Sequence, residues 1–384
     1  VTWREISADD FNSLKRSTVI DVRSPCEFLA EHIPGAVNVP LFTNEERDFI
    51  GTIYATSGEM VARRKAMDII SPKIPTLIDK IIAARGTSNA PIVIHCWRGG
   101  LRSEAVASCL SIVGIHSCRL TGGYKAWRAV VLRDFAADRY SFKLVALQGH
   151  TGTGKTDILQ KLAESGAKVL DLEKLANHRG SVFGALGLGR QPSQKDFDSL
   201  LWLGLRKLEE DKYDGIVFCE AEGKTIGRLR LPAFLYKRLQ RAPQILVTGT
   251  MAARCERVVS AYSAGGEGKP STDKLWGEDK IGNSSELKQG AAGGSDFLEQ
   301  ATAALATIKE RIPGPVCRQI IESAQNNDLK QAVELLLINY YDHYYQRHID
   351  EVAFVLTLSG DNPDLAAMQI LDWSNSAQVI KMST

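Results

Sequence analysis

Phe142-Lys-Leu-Val-Ala-Leu147, running into Gly149-His-Thr-Gly-Thr-Gly-Lys-Thr156, is the stretch on which the fold turns. A short apolar strand passes directly into a glycine-rich loop and then a helix, with the spacing G-x-x-x-x-G-K-T. Gly149, Gly152 and Gly154 let the backbone N–H groups around Thr153 converge on a phosphate. Lys155 adds a point charge, and the Thr156 hydroxyl is placed to ligate Mg²⁺. Motif and context agree, which argues against a coincidental glycine turn. The loop specifies a phosphate and leaves ATP, GTP and smaller diphosphates open.

Further strands are expected at Ala167–Leu170, Gly215–Cys219 and Gln244–Thr248, giving an α/β domain over residues 140–310. Gly215-Ile-Val-Phe-Cys-Glu220 has the form of the metal-binding strand that accompanies a phosphate loop, but it ends in Glu where Asp is usual. Glu220 and Glu222 are therefore candidates for Mg²⁺ binding or base chemistry, with solvated loop carboxylates as the plainer alternative. From Gly223 to Cys255 there are seven cations (Lys224, Arg228, Arg230, Lys237, Arg238, Arg241 and Arg254) and no acid. Such a stretch suits an RNA backbone or a diphosphate, or forms a solvated helix face. Arg179 and Ser181 follow the next strand and are expected either to order over phosphate or to form a turn around Gly180.

Residues 1–139 also alternate strand and helix. Ser7 and Asp10 have N-cap spacing, Thr18-Val-Ile-Asp-Val22 and Pro91-Ile-Val-Ile-His95 read as buried parallel strands, and Ser103–Val113 reads as a helix. Between strand and helix lies Cys96-Trp-Arg-Gly-Gly-Leu-Arg102. A loop in that position turns its amides inward at a helix N-terminus, so a thiolate or an oxyanion is stabilised there. Cys96 is expected to ionise readily, helped by Arg98 and Arg102. Trp97 is placed to stack on an unpaired base or simply to pack the loop. The other six cysteines (26, 109, 118, 219, 255 and 317) are read as inert core thiols.

Composition narrows the classes. The chain has 384 residues, 44% hydrophobic and 24% charged, with a net charge of +2 from 47 cations and 45 acids. Those values support two to three ordinary domains and exclude nucleic-acid binding by bulk charge. No apolar run reaches membrane-spanning length. An odd, scattered set of seven cysteines without C-x-x-C spacing argues against a disulfide scaffold and for a reducing compartment, cytoplasm or organelle matrix. The sequence opens on Val1-Thr2-Trp3, so a processed or trimmed start is expected, from which an Arg-rich leader would have left no trace. Residues 263–295 hold eight glycines and read as a mobile surface insertion, and Phe297–Ile349 reads as helical with a break at Pro313-Gly-Pro315. Residues 311–384 are taken as a mainly helical C-terminal region.

Asp21-Val-Arg-Ser-Pro25, Glu27-Phe28, His32-Ile-Pro-Gly-Ala-Val-Asn-Val-Pro40 and Leu120-Thr-Gly-Gly-Tyr-Lys-Ala-Trp127, together with the Cys96 loop, resemble the ordered signatures of rhodanese domains. The loop itself departs from that pattern. C-x5-R is one residue longer than usual and matches rhodanese-fold phosphatases and arsenate reductases, so oxyanion chemistry stays open. A rhodanese-like domain followed by a P-loop domain resembles the tRNA 2-selenouridine synthase family. The likeness extends through Glu45-Glu-Arg47, Leu170-Asp-Leu-Glu173, Ala176-Asn-His-Arg-Gly-Ser-Val-Phe-Gly184, Gln191-Pro-Ser-Gln194, Glu220-Ala-Glu222 and Tyr340-Tyr-Asp342.

The resemblance implies an α/β protein with a rhodanese-like parallel sheet, a P-loop NTPase-like domain and a helical C-terminal segment. It implies exchange of sulfur for selenium in wobble 2-thiouridine through an S-geranylated intermediate. Selenophosphate and geranyl diphosphate would be the substrates, Cys96 the chalcogen carrier, Gly149–Thr156 the diphosphate site, and Lys224, Arg228 and Arg230 the side facing the tRNA anticodon region. Gly223 stands where the family's pattern suggests serine. The other readings are a phosphatase or arsenate reductase using the C-x5-R loop, and a non-catalytic rhodanese module regulating a P-loop ATPase.

Overall fold

A computed structural model describes residues 3–14, 16–181, 184, 188–263, 308–326 and 328–376. The glycine-rich stretch from residue 264 onward, and the part of the expected helical segment before residue 308, lie outside the described residues. The chain divides into two compact units, the first running to Asp138 and including Asp198–Trp202, the second beginning at Arg139.

The first unit is built from β1 (Trp3–Ile6), α1 (Ala8–Asn12), β2 (Thr18–Asp21), α2 (Pro25–Ala30), β3 (Val37–Asn38), α3 (Asn44–Ser57), α4 (Glu59–Ile70), α5 (Ile74–Arg85), β4 (Ile92–His95), α6 (Leu101–Ile112), β5 (Ser117–Leu120) and α7 (Gly123–Ala137). Ser7 caps α1 by accepting from the Asp10 amide at 3.1 Å, as its spacing indicates. The five strands are parallel in the order β1-β5-β4-β2-β3. Strand β4 is buried along its whole length, which is why Ile92-Val-Ile shows no polar alternation. Ile20, Ile81, Ile92, Ile94 and Leu110 fill the core. Because β4 lies between β5 and β2, the loop leaving it is bracketed by the ends of both neighbours.

The second unit contains β6 (Lys143–Gln148), α8 (Lys155–Glu164), β7 (Lys168–Leu170), α9 (Leu172–Ala176), α10 (Gln194–Glu210), β8 (Ile216–Glu220), the hairpin β9 (Thr225–Ile226) and β10 (Leu229–Arg230), α11 (Ala233–Arg241), β11 (Gln244–Thr248) and α12 (Met251–Ser263). It continues through α13 (Gly314–Gln325), α14 (Leu329–Leu336), a π-helical turn at Leu337–Tyr341, α15 (Asp342–Asp350), β12 (Phe354–Ser359) and α16 (Pro363–Asn375). Its main sheet is also parallel, in the order β12-β11-β6-β8-β7. The chain passes from β6 to β7 across β8, so the carboxyl end of β6 is a switch point where a ligand crevice opens.

The C-terminal region is largely helical, and Pro315 opens α13 in its first turn. It also supplies a strand that the sequence reading did not place. Strand β12 pairs with β11 as the sheet's edge, with Thr248 opposite Ser359. Its apolar run Phe354-Val-Leu-Thr-Leu358 was the available signal. The pairing folds residues from 354 onward into the same sheet as the phosphate loop and carries Gly360 to that loop. There Gly360 N donates to Thr248 O at 2.8 Å. A methyl group on Gly360 would lie 1.9 Å from the Thr153 carbonyl oxygen, so the approach admits no side chain.

Candidate functional site

The first constellation surrounds Cys96, which follows β4 directly. Its thiol is 3% exposed, with Sγ 3.4 Å from Ser103 Oγ and 3.9 Å from the Gly100 carbonyl. The closing turn of β5 clamps the loop, as Tyr124 N donates to Cys96 O at 2.9 Å and Lys125 N to Trp97 O at 3.0 Å. Gly123, at φ +59°, passes so close that a methyl group would meet Cys96 O at 2.2 Å. The rhodanese-like Thr121-Gly-Gly signature thus has a steric reason.

The arginines divide in role. Arg102 forms a two-pronged pair with Glu27 of α2, at 2.6 and 3.1 Å, so its charge is shared with a carboxylate. Arg98 is exposed. Trp97 is half-buried and stacks on Tyr124 with ring centroids 5.6 Å apart, beside the guanidinium of Arg23. That is loop packing. Arg23, which the sequence reading quoted without a role, is fully buried and paired with Asp21 at 2.7 Å. Of the six cysteines read as core, Cys118, Cys219 and Cys255 are buried and Cys109 and Cys317 partly so, but Cys26 is exposed. This corrects the expectation for Cys26, which follows Pro25 on the outer side of α2, a helix with no buried residue.

Beneath the loop, burial pushes the His95 imidazole below its usual range, against the attraction of Asp21 at 3.8 Å. Burial alone would raise Asp21, but His95 and Arg23 outweigh it and hold that carboxylate low. As pH falls below about 6.5, the histidine of the unfolded chain binds a proton that the folded one refuses. Stability should therefore drop by up to about 1.4 kcal/mol per pH unit until the folded histidine titrates. Urea unfolding of the first unit's tryptophan signal at successive pH values reads this. The acid slope should shrink in His95→Asn, and an equal slope in both proteins would rule it out.

The second constellation is the phosphate loop. Together with neighbouring elements of its unit it lines a cleft of about 1040 Å³ that includes Gly149, Gly152, Gly154, Lys155, Thr156, Glu173, Arg179, Ser181, Glu222 and Lys224. The structure thus brings together most of the residues singled out in the second unit. Lys155 Nζ donates to the carbonyls of Gly149 and His150 at 2.8 and 3.0 Å, and Thr153 Oγ1 donates to His150 O at 2.9 Å. Thr156 Oγ1 lies 3.4 Å from Glu173 Oε2. Arg179 Nη2 donates to Ala261 O at 2.8 Å, and Ser181 is buried.

Glu220 is not a solvated loop carboxylate. It is 1% exposed, accepts from the Leu172 amide at 3.3 Å, and is pushed well above the ordinary carboxylate range by burial and by Asp171, Glu173 and Glu222. Glu173, which sequence reasoning left without a role, is pushed up to about 8 by burial and by Glu222. A methyl group on Gly180 would sit 2.5 Å from Glu173 Oε1 and 2.7 Å from Glu222 Oε1, so the two carboxyls converge there. Burial also raises Glu222, with Lys155 opposing it. Among the described residues no three His, Cys, Asp or Glu are arranged to hold a metal ion. Position marked Glu173 in the sequence, three residues beyond the end of β7, but nothing there announced that it would face Glu222.

The basic stretch is not a single face. Arg254 is 5% exposed, with Nε donating to Thr151 O at 2.9 Å and Nη1 to Asp342 at 3.0 Å. Arg238 donates to the carbonyls of Tyr140 and Phe142 at 2.6 and 3.0 Å. Both are internal struts, which corrects the reading of the whole stretch as a nucleic-acid or solvent face. Lys224, Arg228 and Arg230 are exposed. Lys224 reaches the cleft, whereas Arg228 bonds to Gln191 O at 2.7 Å on the β9–β10 hairpin. Among the described residues no helix is long and apolar enough to cross a membrane.

A family model described as the tRNA 2-selenouridine synthase AAA domain matches residues 142–376, and a rhodanese-like domain model matches residues 7–130. The chain is 31% identical over 374 residues to the tRNA 2-selenouridine synthase of Sulfurovum sp. (strain NBC37-1), covering 94% of this chain and 97% of that one. It is 31% identical over 371 residues to the enzyme of that name from Pseudomonas fluorescens, covering 94% of each, and 38% identical over 248 residues to that of Verminephrobacter eiseniae, covering 64% and 66%. With a thiol loop on one parallel sheet, a phosphate loop on another, and two of these relatives matched along nearly their whole length, the chain belongs to the tRNA 2-selenouridine synthase family.

Proposed function

We propose that this chain exchanges the sulfur of a wobble 2-thiouridine in tRNA for selenium in two stages. In the first, the thiouridine sulfur attacks C1 of geranyl diphosphate held by Gly149–Thr156. The S–C bond forms, the C–O bond breaks, pyrophosphate leaves, and the N3 proton of the base is released. In the second, the Cys96 thiolate attacks the phosphorus of selenophosphate, the P–Se bond breaks, and the freed hydrogen selenide bonds to C2 as geranylthiol departs, after which water hydrolyses the S–P bond and releases phosphate. Sulfur at C2 is a poor leaving group until alkylation lets it depart as a thiol. Mg²⁺ would arrive on the diphosphate, with Thr156 as its protein ligand, and ATP and GTP are the competing occupants of the loop.

The observation that carries this reading is the seat of Cys96: a clamped, nearly buried thiol at the foot of a loop opening a helix, in a chain of this family. An anticodon base is already unpaired, so presenting it costs little. A reactive free thiol requires a reducing compartment, cytoplasm or organelle matrix. The test is an anticodon stem-loop containing 2-thiouridine, incubated with the purified chain and digested for nucleoside mass spectrometry. Geranyl diphosphate alone should yield the S-geranyl nucleoside, and addition of selenophosphate should yield 2-selenouridine. Neither product, with hydrolysis of a simple aryl phosphate instead, would favour the phosphatase alternative.

A further inference from the structure

A diphosphate ester carries several negative charges at neutral pH, and the single ammonium of Lys155 answers only one of them. The cleft therefore needs a further cation close to the loop. We propose that Arg257 of α12 is a second cationic ligand of the diphosphate, an assignment that rests on the phosphate-loop reading above.

Arg257 lines the same cleft as Gly154, Lys155 and Thr156. A methyl group on Gly154 would lie 3.2 Å from its guanidinium carbon and 3.4 Å from Nε. Gly154 immediately precedes α8, so the guanidinium stands beside a helix N-terminus, where phosphate oxygens collect. Its present partners are mainly carbonyls. Nη1 is 3.3 Å from Gly152 O, and Nη2 donates to Gly360 O and, at 3.1 Å, to Asp361 O. The two carboxylates near it are more distant, Asp157 at 3.4 Å and Asp361 at 4.0 Å, and Asp157 is 54% exposed. A guanidinium with five N–H groups can keep the Gly360 carbonyl and turn another edge to phosphate, gaining charge-assisted bonds for long neutral ones.

The neighbouring cations are differently committed. Arg254, three residues earlier on α12, is locked between Thr151 O and Asp342. Lys224 is exposed. The edge strand β12 delivers Gly360, and Gly360 holds Arg257 over the loop, so the C-terminal region completes the diphosphate site.

Calorimetric titration of the full chain with inorganic pyrophosphate tests this. Arg257→Ala should weaken binding by about 10- to 100-fold, the size expected for losing a charge-assisted pair. Arg257→Lys should recover part of the loss, and millimolar guanidinium should recover part of it in Arg257→Ala. The KM for geranyl diphosphate should rise in parallel. Affinity in Arg257→Ala within twofold of wild type would overturn the assignment. So would a loss that neither lysine nor guanidinium repairs, which would make Arg257 a strut. If the wild-type chain binds no pyrophosphate, the phosphate-loop reading itself fails, a result distinct from equal binding by both proteins.

Discussion

Cys96→Ala abolishes formation of 2-selenouridine, by at least about a thousandfold, while the S-geranyl nucleoside accumulates. The effect is this large because the sulfur is the atom that takes the phosphoryl group and frees the selenium, and no neighbour replaces it. Ser103 Oγ is 3.4 Å away, but a hydroxyl does not ionise near neutral pH and is no substitute nucleophile. For the same reason Cys96→Ser fails equally, although it preserves size and the bond to Ser103. Both variants should fold, since removing one small buried atom in Cys96→Ala costs about 1 kcal/mol and the serine hydroxyl keeps Ser103 as a hydrogen-bond partner. Nucleoside mass spectrometry of the stem-loop after incubation is the measurement. Undiminished selenouridine from Cys96→Ala would leave the rhodanese-like unit as a non-catalytic module.

Lys155→Ala has the complementary effect. The ammonium now lies against the Gly149 and His150 carbonyls with Glu173 and Glu222 around it. Without it the loop would offer an incoming diphosphate amide dipoles and no ammonium. Geranylation should fall by about 10²- to 10³-fold, comparable to removing a preorganised electrostatic donor. A stem-loop that already carries the S-geranyl group should still be selenated at a near wild-type rate, because that step does not use the diphosphate. The two variants thus fail on opposite halves of the reaction. A Lys155→Ala protein that geranylates normally would remove the diphosphate from the phosphate loop.

Much of the architecture was legible because local patterns are short-range. Ile92-Val-Ile-His95 has no polar alternation and is a fully buried parallel strand, and Gly149–Thr156 leaves few conformations other than a loop opening a helix. Strand β12 was missed because Phe354–Ser359 follows a long helical run and pairs with a strand more than a hundred residues earlier. The basic stretch misled because a guanidinium satisfied by carbonyls, as in Arg238, has the same letter as one facing solvent.

The order of residues alone determined the two parallel sheets, the thiol at the end of one central strand and the phosphate loop at the end of another, since glycine spacing and apolar runs act within a few residues. Only the tertiary structure decided which charges meet. Glu27 with Arg102, Glu173 with Glu222, and Arg257 with the Gly360 carbonyl are brought together by sheet order and strand register. Electrostatic pairing depends on distance and burial, and neither is written in the separation of residues along a chain.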